Sequence, residues 1–295
     1  MTLELQNFLP DSFLKSEIRN DFIVSERRKQ LWATLLGLLR EFQRVCTMEN
    51  LQYFAICGTA LGAMRHQGFI PWDDDLDLAM PRKDYEKLKS LSKDFKGPYC
   101  LVWPENEREN GYSFLKLRDC NTTGMSKAFA NLNLNHGIYL DIFPLDEVSD
   151  ISRYEGEQAK IKQLIIQNSN LMKVLNNVGF SEKEKETDKL LQTYNEIERL
   201  ATTDNGKESE YLALRTISFY PPSKMIWRSE IFIDTIDVPF EFMSIKVPVG
   251  WRELLEVNYG EWHKFPPVEQ RGTWHSSVVY DPNTPFVEYK NRDKA

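Results

Sequence analysis

Cysteine and histidine are both scarce, 4 of each in 295 residues. Cys46, Cys57, Cys100 and Cys120 show no CxxC spacing and no accompanying histidine pattern, which argues against a zinc site or a disulfide framework. They read as reduced thiols, mostly of the core. Long apolar runs are missing too: nothing approaches the ~18 consecutive apolar residues of a membrane span, so no transmembrane segment is expected. The stretch MTLELQNFLPDSFLKSEIRNDF has no basic segment followed by an apolar one, the mark of a secretory signal, and the expected location is cytoplasmic. Basic residues are not in excess. With 37 Lys and Arg against 44 Asp and Glu the formal net charge is −7, and affinity for polyanions rests on cations neutralising phosphates, so no nucleic acid partner is expected. A small anionic ligand held with a divalent cation remains compatible. There is no internal repeat and no low-complexity segment.

What is present is an ordinary globular composition, 41% hydrophobic and 27% charged, in a chain long enough for one large domain or a core with a helical elaboration. From Glu26 to Asn50, Leu31, Leu35, Leu38, Leu39, Phe42 and Val45 recur at helical spacing. Core packing explains that stripe better than a membrane surface, although peripheral membrane association stays open. Residues 52–57 read as a short buried strand ending at Gly58, followed by a helix from Thr59, its expected N-cap, to Gly68. A strand is expected over 76–80, a helix over 81–95, strands over 99–103 and 112–117, and a strand over 137–143 stopped by Pro144. From 151 to about 214 the pattern is helical without strand signals. Further on, 245–247 reads as a strand, 251–259 as a helix, and the Pro- and aromatic-rich tail after Gly260 as loop.

The densest chemistry lies in GFIPWDDDLDLAM. Asp75 and Asp77 are two apart, so on an extended segment both point to one face while Leu76 and Leu78 enter the core. Such carboxylates repel unless a cation joins them, and hard oxygen ligands suit Mg²⁺ or Mn²⁺. Asp73 stands in the same run, and for Asp74 a solvated loop is as good a reading. An EF-hand would place Asp73, Asp75 and Asp77 at positions 1, 3 and 5 of its loop, but Leu78 replaces the required glycine and Asp84 the required glutamate. Asp141, between Leu140 and Ile142, is a third acid on an apolar strand, costly to bury unless paired or metal-bound. The Gly58-Thr59 turn offers backbone N–H groups and a helix N-terminus to a phosphate.

The run GT-x-LG-x-x-RH-x-GFIPWDDD-x-D, residues 58–77, closely resembles the LicD family of phosphotransferases, which includes fukutin-like proteins and lies within the nucleotidyltransferase superfamily. Ala60 stands where a bulkier aliphatic is more usual. GIYLDIFPLD at 137–146 is similar to the family's later Asp strand, and VP, YG and PP-x-E-x-R around 247–271 to its C-terminal part. The resemblance implies an α/β (α+β) fold, a nucleotidyltransferase-like core sheet flanked by helices with a mostly helical additional region. The corresponding parts are a catalytic core over 1–150, a helical region over 151–235 and a C-terminal part over 236–295, within one continuous domain.

In function the resemblance implies transfer of a phosphorylated alcohol, such as phosphocholine, from a CDP-linked donor (CDP-choline first) to a saccharide acceptor, with release of CMP. Asp75 and Asp77 would then be metal ligands, Asp141 a third ligand or the base, and Asp73 a direct or water-mediated contact. Gly58, Thr59, Arg65, His66, Lys116 and Arg271 are the candidates for holding the donor, with Arg118 and His275 behind them. The residues themselves leave three other readings open: a DxD-type glycosyltransferase using a nucleotide sugar, a nucleotidyltransferase attacking the α-phosphate, and a metal-stabilised binding module.

Overall fold

The computed structural model describes residues 9–10, 12–272, 275 and 277–292. The first eight residues, part of the stretch read above for a signal, lie outside them. A small hairpin, β1 (Glu17–Arg19) and β2 (Phe22–Val24), leads into α1 (Glu26–Glu49). Ser25 caps this helix by accepting from the Arg28 amide at 3.3 Å. It ends where Asn50 takes a left-handed φ of 52°. Leu31, Trp32, Leu35, Leu38, Leu39 and Phe42 are all buried, so the apolar stripe of α1 is covered by protein. No described helix is long and apolar enough to cross a membrane.

The central sheet collects β3 (Phe54–Ala55), β4 (Asp77–Pro81), β5 (Tyr99–Val102), β6 (Leu115–Asp119), β8 (Ile138–Val148), β9 (Tyr211–Ala213) and β10 (Ile226–Arg228) in the order β10-β9-β8-β4-β3, with β6 on β8 and β5 on β6. Between them lie α2 (Cys57–His66), α3 (Arg82–Ser90) and β7 (Thr123–Ser126). β4 and β8 run parallel, with Asp77 opposite Asp141, while β6 runs antiparallel to β8 with Lys116 opposite Asp141. Three strands therefore deliver an acid, an acid and a base to one level of the sheet. The fold is a mixed α/β arrangement with helices around a mixed sheet, as expected from the sequence.

Three local expectations are corrected. Pro144 does not stop β8, which runs on to Val148. The Asp141 amide donates to Leu76 O at 2.9 Å, toward β4, so by alternation the nitrogen of Pro144 faces the opposite edge, beyond Ile142, the last residue that β6 pairs. No ladder hydrogen bond is lost there. Second, 151–235 is not wholly helical: α4 (Ile151–Leu175) and α5 (Phe180–Ala201) pack on each other, but β9 and β10 then join the sheet. Each is three residues long, too short for a period-2 pattern to register. Third, the tail is not only loop. After the β11 (Thr235–Phe240) and β12 (Met243–Pro248) hairpin and α6 (Trp251–Tyr259), it forms β13 (Val278–Asp281), paired to β7, and α7 (Phe286–Arg292). A buried ion cluster ties the helical pair to the sheet: Arg82 of α3 binds both oxygens of Asp146 on β8 at 2.8 Å and Glu198 of α5 at 2.7 Å.

Candidate active site

The helix expected from Thr59 begins two residues earlier, at Cys57, and the side chain of Thr59 has another task. Its Oγ1 accepts the amide of Asp77 at 2.8 Å, fastening the start of β4 to α2. Gly58 allows a close approach: a Cβ there would lie 2.6 Å from Asp73 Oδ2. The carbonyl of Asp73 is held by Arg28 Nη1 at 2.5 Å and Trp32 Nε1 at 3.1 Å, so α1 fixes the backbone of the acidic loop from beneath. Leu76 and Leu78 are fully buried while Asp75 and Asp77 are half-buried, the alternation expected of an extended segment.

These acids open onto a cavity of about 940 Å³, whose wall includes Gly58, Arg65, Asp73, Asp75, Asp77, Lys116, Arg118, Asp141 and His275. Burial, then the charges of Asp75 and Asp74, hold the Asp73 carboxyl well above the usual range. Burial followed by the charges of Asp75 and Asp141 does the same to Asp77. Asp75 is pushed up to about 6, chiefly by burial and by Asp74 and Asp141, against an opposing pull from His275. The cluster is thus short of positive charge, which is what a divalent cation supplies.

One counter-charge is built in. Lys116, 3% exposed, donates to Asp141 Oδ1 at 2.5 Å, and Asp141 is itself 9% exposed. Burial lowers Lys116 to about 8 even though Asp141 works the other way, so the ammonium still carries its charge at neutral pH. Its Nζ lies 3.7 Å from the ring centroid of Tyr139, 4.6 Å from Tyr112 and 4.9 Å from Phe114, an aromatic surround that favours a cation. Arg118, two residues on, donates to Gly137 O at 2.8 Å, and its guanidinium carbon lies 4.8 Å from the ring centroid of Tyr139.

Other sequence candidates are placed differently. Arg65 reaches the cavity wall, but its Nη1 donates to the carbonyls of Trp262 and Lys264 at 2.9 and 3.1 Å, anchoring the segment after α6. His66 stands outside the wall: Arg65 Nε lies 3.0 Å from its Nε2 and Asn20 Oδ1 3.1 Å from its Nδ1, partners that assign the proton to Nδ1. Burial, then the charges of Arg65 and Arg19, bring it down to about 4, so it is neutral and offers no positive charge to a diphosphate. Arg271 also lies off the wall, donating to Pro266 O and Asn20 O at 3.0 Å and stacking 5.2 Å over Trp72.

Two contributors escaped sequence reasoning. Asp74, equally readable as solvated, is 2% exposed and its Oδ1 lies 3.1 Å from His275 Nδ1. Tyr139 gives no signal beyond its place on a strand. Among the described residues, the acids and histidine whose ligand atoms all come within 4.8 Å of one another are Asp74, Asp75 and His275.

Residues 50–129 match a family model described as LicD/FKTN/FKRP, nucleotidyltransferase domain, and the chain carries a LicD-family domain. The likeness extends well beyond it. Over 270 residues, 86% of this chain and 97% of the relative, it is 26% identical to the lipopolysaccharide cholinephosphotransferase LicD of Haemophilus influenzae. An uncharacterised protein of Rickettsia prowazekii is 28% identical over 44% of this chain and 46% of its own length. Mannosyltransferase regulator 4 of Saccharomyces cerevisiae is 27% identical over 45% of this chain, but only 11% of that much longer protein is covered.

Proposed function

We propose that the chain is a transferase that moves a phosphorylated alcohol, phosphocholine first, from a CDP-linked donor to a hydroxyl of a saccharide such as a lipopolysaccharide precursor, releasing CMP. The observation that carries this reading is the single level of the sheet where Asp77, Asp141 and Lys116 meet across three strands beneath the cavity. The similarity to a cholinephosphotransferase over nearly all of that protein's length supports the choice of group transferred.

The residues fit a divalent cation: Asp73, Asp75 and Asp77 are hard oxygen donors, and the charge of Asp75 raises the proton affinity of both Asp73 and Asp77. Asp75 and Asp77 would hold Mg²⁺ or Mn²⁺, with Asp73 alongside. When bound, such an ion supplies charge that offsets the diphosphate and the departing CMP.

Everything else falls to the chain. Asp141, held by Lys116, takes the proton of the acceptor hydroxyl. The acceptor oxygen bonds to the β-phosphorus as the bond from that phosphorus to the bridging oxygen breaks, and the bridging oxygen leaves on CMP. Lys116 orients Asp141 and supplies its counter-charge. Phe219, Tyr220 and Trp262 line the same cavity, and aromatic lining of this kind suits a quaternary ammonium, which favours choline over a polyol.

The test is CMP release from CDP-choline, CDP-ethanolamine, CDP-ribitol and CDP-glycerol with a glycan extract, with and without Mg²⁺ or Mn²⁺. Metal-dependent CMP from CDP-choline that disappears with Asp75→Asn is the expected result. Turnover of nucleotide sugars or triphosphates in place of every CDP-alcohol would refute the reading.

A further inference from the structure

We infer that Asp74, Asp75 and His275 form a second cation site, one that contains nitrogen and prefers Mn²⁺ or Zn²⁺ to Mg²⁺. It rests on the reading above only in that Asp75 is shared with the Asp75–Asp77 pair. His275 Nδ1 lies 3.1 Å from Asp74 Oδ1 and 3.6 Å from Asp75 Oδ2, so one ion can be reached by all three residues.

A plain His–Asp hydrogen bond leaves half of this arrangement unexplained. Asp74 is 2% exposed, and its Oδ2 is buried with no hydrogen-bond partner. Buried carboxylate oxygens are normally paired, and an unpartnered one on a carboxylate whose other oxygen lies against an imidazole, with a second carboxylate within ligand range, is a ready donor for a cation. The side chain of His275 keeps 33% of its exposure, so an ion can enter from that side.

Ligand type decides which ion. Mg²⁺ favours oxygen ligands and retains water, whereas imidazole suits Mn²⁺ and, more strongly, Zn²⁺. The site would also join distant parts of the chain. Asp74 and Asp75 belong to the acidic loop, whereas His275 follows α6 in the tail, from which Trp262, Phe265 and Gln270 also line the cavity. An ion here fastens His275 to the acidic loop, which gives the second site a structural consequence as well as an electrostatic one.

The experiment is Mn²⁺ binding to the full chain, followed by electron paramagnetic resonance for stoichiometry and for nitrogen hyperfine coupling, in the wild type, His275→Ala and Asp77→Asn. Circular dichroism confirms that each variant is folded. The wild type should bind two ions, one showing nitrogen coupling. His275→Ala should lose the coupling and bind one of the ions at least about tenfold more weakly. Asp77→Asn should keep the nitrogen-coupled ion and lose the other. Unchanged affinity and stoichiometry in His275→Ala, or the absence of nitrogen coupling in the wild type, would overturn the second site; a single ion lost with Asp77→Asn would then leave the proposed function standing. If Asp77→Asn changes nothing while His275→Ala abolishes binding, the second site holds and the assignment of a cation to Asp77 falls.

Discussion

Replacing Lys116 by Met keeps the length and apolar stem of the side chain but strands Asp141, buried beside Asp75 and Asp77, without its counter-charge. Breaking one side of a buried ion pair costs ~3–5 kcal/mol, because the remaining charge is left uncompensated. Some of that is offset by the contact of the Met sulfur with Tyr139, Tyr112 and Phe114, worth ~0.3–1.5 kcal/mol. A net loss of roughly 2–4 kcal/mol corresponds, at ~2–4 °C per kcal/mol for a large domain, to a fall in Tm of about 5–15 °C. The double variant Lys116→Met/Asp141→Asn removes both charges and should recover at least half of the loss while remaining inactive. Thermal melts by circular dichroism at neutral pH, without added metal, give both numbers. If Lys116→Met melts with the wild type, or the double variant is no more stable than the single one, the pair does not hold Asp141 as argued here.

Thr59→Val should leave the Asp77 amide without its acceptor and cost ~1–3 kcal/mol in urea unfolding, whereas Thr59→Ser should retain most of the stability. The metal-free protein should lose stability as pH rises. Asp73, Asp75 and Asp77 are raised above their unfolded values, so the folded state holds more protons from about pH 4 upward and through about 6. His275, raised by Asp74 and Asp75 despite its burial, acts in the same direction, since its contribution is complete below its unfolded value and fades as pH rises through the folded one. Mn²⁺ should therefore raise Tm more at pH 7.5 than at pH 5, and an equal shift at both would count against the account. Cys120, whose hydrogen bond with Cys100 at 2.9 Å brings it down to about 7 against its burial, should be alkylated by iodoacetamide well before the buried Cys46 and Cys57; mass spectrometry of timed samples checks the order.

The parts of this molecule readable in advance are those where a local pattern and the tertiary environment agree. The helix of 24 residues from Glu26 carries its apolar stripe in sequence, and Leu76 and Leu78 mark which way the neighbouring acids must face. The mixed α/β class follows from such segments. What could not be read depends on partners far along the chain. Asp74 meets His275 from 201 residues away, and β9 and β10 are strands only because β8 extends past Pro144 to receive them. Thr59 looks like a helix cap in sequence because a side-chain acceptor after a strand usually serves the helix that follows. Here it serves the next strand, and the helix begins at Cys57 with a left-handed φ of 48°. His66 is misleading for a related reason: a histidine beside an arginine reads as extra positive charge, but burial and that same arginine keep it neutral.

The central claim is that the β-phosphoryl group, with its alcohol attached, is what moves. Phosphorus NMR of a reaction containing CDP-choline, Mg²⁺ and a lipopolysaccharide-derived acceptor follows both phosphorus atoms at once. The coupled diphosphate signals should be replaced by the monoester signal of CMP and a phosphodiester carrying choline on the acceptor, with no change in the Asp75→Asn variant. Free phosphocholine together with a cytidylylated acceptor would contradict it, because attack would then have fallen on the α-phosphorus.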